Sequence, residues 1–309
     1  MAEELYYTSV ERGLRPGTRG FSTVAYTRGM SPALIRLLES LSAYKGTYAV
    51  HDPRSATNPA AYSHYRYTLV GKTVSILSRV GDSGKDHTNR SNKLAHHVVL
   101  SQRERPPGGP AWLATRDGFL ETVWDRPPQI LEEPRCVPDG DYEGTFAATW
   151  EDVAGDAGWA GELAYSFVQR RFEPVFLVFE PGMPMLSLIS EAMALLEPRL
   201  RWLTTFNTYF TALPAGLTCS WRCCVPDAYC LREAKRMRRA RIIDLTKPEP
   251  LAEDNPLVTC AREGNALPDD ISGISGGQTF VKMPNRNRKS LRMTPRPRGA
   301  EQGDAADDA

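Results

Sequence analysis

Four histidines and two aspartates lie within a short span of the chain: His64, then Asp82, Asp86 and His87, then the adjacent pair His96 and His97. Neutral imidazole is a common metal donor and general base, and a carboxylate beside it fixes the tautomer. A hydrolase using His64, His96 or His97 with Asp82 or Asp86 is therefore one reading. Backbone geometry weighs against it. The run "LAHHVVL" is β-branched and apolar enough to be a strand, and successive strand residues point to opposite faces. His96 and His97 then cannot join one site: one ring faces the core, the other solvent or a loop. No cofactor or metal is expected here.

Other motifs fail on their context. "VGDSGKD" looks like a phosphate loop, but Arg79 stands where its first glycine belongs and Asp86 where a Ser or Thr belongs. No helix follows it, so no helix N-terminus is on offer for a phosphate. Asp82, Asp86 and Asn89 have calcium-ligand chemistry without the regular spacing of such a loop. Cys219, Cys223, Cys224 and Cys230 supply four sulfurs within "CSWRCCVPDAYC", the best zinc candidate in the chain. A strand there would place Cys219, Trp221 and Cys223 on one face, without the turn between paired cysteines that a zinc knuckle needs. Buried small hydrophobes are the plainer role. The Gly-x-Ser-x-Gly match around Ser275 has no preceding strand to hold a nucleophile elbow.

Positive charge gathers in two places. "LREAKRMRRAR" brings together Arg232, Lys235, Arg236, Arg238, Arg239 and Arg241, and the last forty residues add Lys282, Arg286, Arg288, Lys289, Arg292, Arg296 and Arg298. No stacking aromatics alternate with these charges, so a solvated face is expected rather than a nucleic-acid platform.

The elements that must carry these residues are partly legible. "SPALIRLLESLSAYKG" has Ser31 at an N-cap, Pro32 at the first helical position and Leu34, Leu37, Leu38 and Leu41 on one stripe. Residues 62–70 and 73–80 flank Gly71 and Lys72 and read as a hairpin. A polar loop over residues 81–93 leads to a third strand at 95–100. Further on come a helix around Leu163 to Val168, the strand "PVFLVF", a helix over Met185 to Leu196, and strand-like text in "WLTTFNTYFT", "GLTCSWRCCV" and "RIIDLT".

These alternations predict an α+β fold: mixed sheets with packing helices, in two α/β layers or subdomains. A proline- and glycine-rich stretch near residues 125–142 suggests domains over 1–142 and 143–267. Residues 268–309 are poor in large apolar side chains and read as a disordered tail. With 309 residues, 41% hydrophobic, the chain can build a core, and its net charge of +1 offers no global field for nucleic acid or membrane. There is no signal segment and no apolar run long enough for a bilayer. A cytoplasmic protein with free thiols is expected.

Long stretches of the text, "YYTSVERGLRPGTRGFSTVAYTRGM", "LESLSAYKGTY", "NPAAYSHYRYTLVGKTVSILSRVGDSG" and "DHTNRSNKLAHHVVL", resemble the amino-terminal domain, type two, of bacterial GTPase-associated proteins of NTP-dependent conflict systems. "LISEAMALLEPRLRWLTTFNTYFTALPAGLTCSWRC" and "RIIDLT" resemble that family's middle region. The most distinctive words contain Tyr7, Thr8, Gly20, Phe21, Tyr62, Ser63, His64, Ser78, Arg79, Asn92, Lys93, His96 and His97. The resemblance implies a non-catalytic adaptor that binds a nearby-encoded GTPase and other conflict-system proteins, with nucleotide chemistry supplied by the partner. A contact surface is expected on the loop of residues 81–93, with Arg79, Lys85, Asp86, His87, Asn92 and Lys93 as its candidates.

Overall fold

The computed structural model describes residues 2–69, 71–252, 254–265 and 267. The expected disordered tail from residue 268, with its basic residues and Ser275, lies outside them. Within the described residues the chain is α+β, as the alternation of periodicities predicts.

Local chemistry sets the first elements. Strands β1 (Glu3–Val10) and β2 (Gly20–Thr27) pair antiparallel. Helix α1 (Pro32–Leu41) starts where predicted, with the Ser31 hydroxyl accepting the Leu34 N–H at 3.3 Å. Strands β3 (Ala61–Leu69) and β4 (Lys72–Lys85) form the predicted hairpin, and Gly71 supplies its positive φ of 77°. β5 (Ser91–Leu100) then returns beside β4. Most of the expected polar loop is therefore strand: only residues 86–90 separate β4 from β5. Backbone ladder bonds to a neighbour outweigh weak side-chain propensity, and an irregularity between Asp82 and Lys85 absorbs the mismatch in register.

The second half supplies α2 (Gly109–Ala114), β6 (Gln129–Leu131), α3 (Ala148–Ala154), α4 (Gly158–Gln169), β7 (Val175–Val178), α5 (Met185–Ala194) and α6 (Pro198–Arg201). There follow β8 (Phe206–Asn207), β9 (Trp221–Cys224), α7 (Tyr229–Ala234), β10 (Arg241–Asp244) and α8 (Pro256–Glu263). "WLTTFNTYFT" yields a strand of only two residues, because Trp202 closes α6 and turns follow Asn207.

All ten strands join one sheet in the order β10-β7-β9-β8-β3-β4-β5-β1-β2-β6. From β10 to β8 the neighbours run parallel; from β8 through β3 to β2 they run antiparallel, and β6 closes the far edge in parallel with β2. The polarity changes at β3 and β8, which touch through two residue pairs, Ser63 with Asn207 and His64 with Phe206.

Both faces of the sheet are covered, so strands in its middle are apolar on both sides. One face packs α1 through Leu34, Ile35 and Leu38 against Leu5, Ile76 and Val99, and further along α7 through Leu231 and Ala234 against Phe176 and Val178. The other face carries α2 and Trp202 over Leu77, Val98 and Leu100, then the larger layer of α3, α4, α5 and α8 over Leu177, Phe206, Trp221 and Ile243. α4 and α8 approach so closely that a Cβ on Gly161 would lie 2.3 Å from the Leu257 carbonyl oxygen. No described helix is long and apolar enough to cross a membrane.

Candidate functional site

The sequence-predicted histidines occupy three separate buried environments. His96 and His97 stand on opposite faces of β5, yet both are fully buried, because the sheet has no solvent face at this strand. Neither ring faces solvent: of the two expected alternatives the loop is the one observed, His96 meeting the irregular stretch at Glu121, while His97 meets Ser42 at the end of α1. His64 shares a face with His96, but β4 runs between them, so about 10 Å of sheet separates their strands.

Each ring has both nitrogens in use. The Nδ1 of His64 lies 2.7 Å from the Thr204 carbonyl oxygen and its Nε2 lies 3.0 Å from the Ser75 hydroxyl. A carbonyl only accepts, so Nδ1 carries the proton and Nε2 accepts from Ser75. At His97, Ser42 donates its hydroxyl to the Leu38 carbonyl at 2.9 Å, so it accepts from His97 Nε2 at 2.9 Å. The His97 Nδ1 then accepts from Ser78 at 2.7 Å. Burial drives both pKa values down, to about 3 for His64 and about 3 for His97. These rings are neutral hydrogen-bonding struts.

His96 belongs to a larger network that sequence reasoning did not find. The Glu121 backbone N–H donates to its Nδ1 at 2.9 Å, leaving Nε2–H to donate to the Glu4 carboxylate at 3.1 Å. Arg135 Nη1 reaches the same Glu4 oxygen at 3.0 Å. Tyr6 stacks on His96 with ring centroids 4.1 Å apart and donates its hydroxyl to Glu121 at 2.9 Å, while Arg126 closes on Glu121 at 2.6 Å. Burial alone would raise the Glu4 pKa; the hydrogen bond from His96 and the charge of Arg135 outweigh it and hold the carboxylate ionised. His96 stays neutral because burial outweighs the pull of Glu4. The partners come from positions 4, 121 and 135, far apart in sequence, and no local spacing announces them.

Asp82 and Asp86 do not approach any of the three rings' ligand nitrogens. Asp86 instead organises the tip of the β4–β5 hairpin. One carboxylate oxygen accepts from Thr88 N, the Thr88 hydroxyl and Arg90 N; the other accepts from Ser9 at 2.8 Å. Those donors, the Thr88 hydroxyl foremost, hold its pKa well below the usual carboxylate range. Asn89 takes the left-handed conformation at φ 63° that the turn requires. Asp82 caps its own turn by accepting from Gly84 N at 2.7 Å.

Asn92 ties this hairpin to β1. Its side-chain oxygen accepts from Ser9 N and Thr8 Oγ1, both at 3.2 Å. Lys93 sends its ammonium over the rings of Phe21, at 5.0 Å, and Tyr7, at 5.7 Å, and burial lowers its pKa. Thus the β1–β2 and β4–β5 tips stand side by side at one end of the sheet. Around them Arg12, Arg15, Arg19, Lys85, His87 and Arg90 are exposed, and Phe21 is 45% exposed. The two aspartates of the tip are turned into its own turns, so the outward charge is positive. Arg79 lies away from this end surface: its Nε donates to the Tyr62 hydroxyl at 3.3 Å and its guanidinium lies over that ring.

The basic run is not one helical face. α7 ends at Ala234, so Arg232 lies on the helix while Lys235, Arg236, Arg238 and Arg239 follow on turns, all exposed. Arg232 sits over the exposed Tyr229 ring at 5.6 Å, an aromatic neighbour absent from the linear reading. Arg236 pairs with Glu233 at 3.3 Å and Arg239 with Glu173 at 4.0 Å. Cys219, Cys223, Cys224 and Cys230 are buried thiols, but the expected shared face of Cys219, Trp221 and Cys223 does not form: Trp221 and Cys223 pack on one side of the sheet, and Cys219, which precedes β9, packs with Cys224 and Cys230 on the other. Burial pushes the Cys219 thiol up to about 12.

Residues 1–136 match the model of the N-terminal domain type 2 of GTPase-associated protein 1, and residues 147–247 match the model of its middle domain. The order of the two is the order expected from the words of the sequence. No curated protein and no solved structure matches this chain.

Proposed function

Because the chain belongs to the GTPase-associated protein 1 family, with its N-terminal type 2 and middle domains in that order, we propose that it is a non-catalytic adaptor. In this reading it acts in the cytoplasm of a bacterium, within a conflict system of defence type. It binds a GTPase encoded nearby and holds it to other proteins of that system. The observation that carries the proposal is the paired hairpin end. Two tips are locked together by Asp86, Asn92 and Ser9, while Phe21, Lys85, His87 and Arg90 are free to face outward. Rigid loops with an aromatic anchor and unpaired cations suit a protein surface of acidic character.

The buried histidines support the same reading from the other side. A general base needs a nitrogen free to take a proton, and His64, His96 and His97 have both nitrogens committed to protein partners. Their work is to hold the sheet on which the hairpin end is built. The experiment is co-purification of the neighbouring GTPase with this chain, in its diphosphate and triphosphate states. Retention that drops when Lys85 and Arg90 are both changed to Glu supports the proposal. A lack of association in either state overturns it.

A further inference from the structure

A second feature lies away from the hairpin end and does not depend on the adaptor reading. A cleft of about 480 Å³ opens between the turn after β5 and the stretch after β6. Arg103 and Arg105 line it on one side, Arg135 on the other, with Pro106, Pro134 and Pro138 as stiff flanks. Two of these guanidiniums carry a donor that nothing in the described residues accepts: the Nε of Arg105 and the Nε of Arg135 are buried without a hydrogen-bond partner. Buried donors are normally satisfied, so each such atom asks for an explanation.

Arg105 is held at the cleft by little protein chemistry. Its Nη2 makes one long bond, 3.4 Å, to the Thr73 carbonyl, and its guanidinium lies 5.7 Å from the Trp202 ring centroid. Behind it stands Arg66, whose Nε is also buried and without a partner. Burial, and then the Arg66 charge, keep the Arg105 pKa below its ordinary value. Among the described residues neither Arg66, Arg103 nor Arg105 has a carboxylate partner; the ion pairs nearby go to Arg126 and Arg135. Two acids also line the cleft and keep their charge: Glu104 accepts the Ser101 N–H at 2.8 Å and Asp139 the Gly140 N–H at 3.0 Å, so an anion must sit on the Arg103 and Arg105 side.

We propose that this cleft binds a small phosphorylated ligand, its phosphoryl group seated on Arg103 and Arg105, the guanidiniums without a carboxylate partner. A phosphoryl dianion brings three acceptor oxygens and about twice the charge of a carboxylate, so it meets two guanidiniums at once and offsets more of their mutual repulsion. The volume leaves room for a body of about mononucleotide size. Exposed Arg103 closes over the anion from the rim.

Cys136 provides the readout. It lines the cleft and is exposed, whereas the other five cysteines are buried, so it is the thiol that an aromatic disulfide reagent modifies first in the folded protein. Inorganic phosphate and AMP are added separately, with ionic strength held constant by NaCl. The expected result is a saturable slowing of Cys136 modification, about threefold or more, with AMP at least as effective as phosphate. Arg103→Ala is expected to weaken that protection about tenfold, and Arg105→Gln to abolish it in protein whose thermal unfolding is unchanged. Should Arg105→Gln disturb folding, Arg103→Ala alone decides. Equal slowing by NaCl, no slowing by either phosphate, or protection undiminished in Arg103→Ala would each overturn the proposal. So would protection by vesicles of an anionic phospholipid without protection by the free esters.

Discussion

The Nδ1 of His64 and the carbonyl oxygen of Thr204 lie 2.7 Å apart across the line where the sheet changes from antiparallel to parallel. One imidazole thereby links the two family segments, with its other nitrogen anchored on Ser75 of the next strand. Tyr62 and Thr208 add a reciprocal pair beside it, Thr208 N donating to the Tyr62 carbonyl and Tyr62 N to the Thr208 hydroxyl, both at 2.9 Å.

Replacing His64 by Ala removes both bonds and leaves a buried gap beneath Trp202, whose ring meets it edge-on at 5.5 Å. A loss of about 2–4 kcal/mol is expected from the unsatisfied carbonyl and the cavity together. Urea unfolding followed by tryptophan fluorescence measures it. A loss under about 1 kcal/mol would mean that the seam does not depend on this ring.

Acid should weaken the fold at a pH where carboxylates are still ionised. His64 and His97 are neutral in the folded state, with pKa values of about 3, and near 6.5 when unfolded. The unfolded chain therefore binds more protons below pH 6.5, so their contribution is complete above that pH and is lost as pH falls toward 3. Each costs about 1.4 kcal/mol per pH unit in this window. Unfolding midpoints at pH 7, 6 and 5 should fall steeply, and His97→Gln should flatten the fall. A pH-independent midpoint contradicts the burial of these rings.

Glu4 is the only carboxylate that meets both His96 and Arg135 at hydrogen-bond distance among the described residues. Glu4→Gln leaves the mostly buried Arg135 without its closest counter-charge, at a cost of about 2–4 kcal/mol. Arg135→Met in the same protein should recover part of it, because the lone charge is then gone. Additive losses in the double-mutant cycle would show that the pair is not coupled.

At Gly161 a methyl group would lie 2.3 Å from the Leu257 carbonyl oxygen and 2.4 Å from Val258 N, both backbone atoms. Gly161→Ala must therefore push α8 off α4, and a loss of about 3 kcal/mol or more is expected despite the better helix propensity of alanine. Thermal unfolding and limited proteolysis within residues 256–263 check it. Unchanged protection there would mean that the helices have room to spare.

Changing Lys85 and Arg90 to Glu touches only exposed side chains, so stability should stay within about 0.5 kcal/mol of the parent. Affinity for the GTPase should nonetheless fall about tenfold or more, chiefly through slower association, and the parent's binding should weaken with salt. Surface-capture kinetics at two ionic strengths separate these effects. Salt-insensitive binding would place the contact elsewhere.

What the sequence revealed follows the range of the forces involved. Ser31, Pro32 and the leucine stripe set α1 by local rules, and Gly71 sets the β3–β4 turn; both were legible. The linear pattern reads the hairpin tip as a long loop because Asp82, Ser83 and Gly84 look like turn residues, while ladder bonds to a neighbouring strand are invisible in it. Strand geometry sends His96 and His97 to opposite faces, but their double burial depends on α1 on one side and the stretch from Glu121 to Arg135 on the other. Glu4, Glu121 and Arg135 form their network only after the sheet has assembled, so nothing in their spacing marks them.

The place of β8 has a consequence for the newly made chain. Strands β1 to β5 can pair as soon as residue 100 is available, yet the outer edge of β3 must wait for Asn207 to arrive opposite Ser63. For about a hundred residues of synthesis at roughly 5–20 residues per second, that edge is an open template for another chain. Just beyond the two residues that β8 covers, Tyr65 and Tyr67 flank Arg66. A charge at this point of an edge disfavours pairing with a second copy.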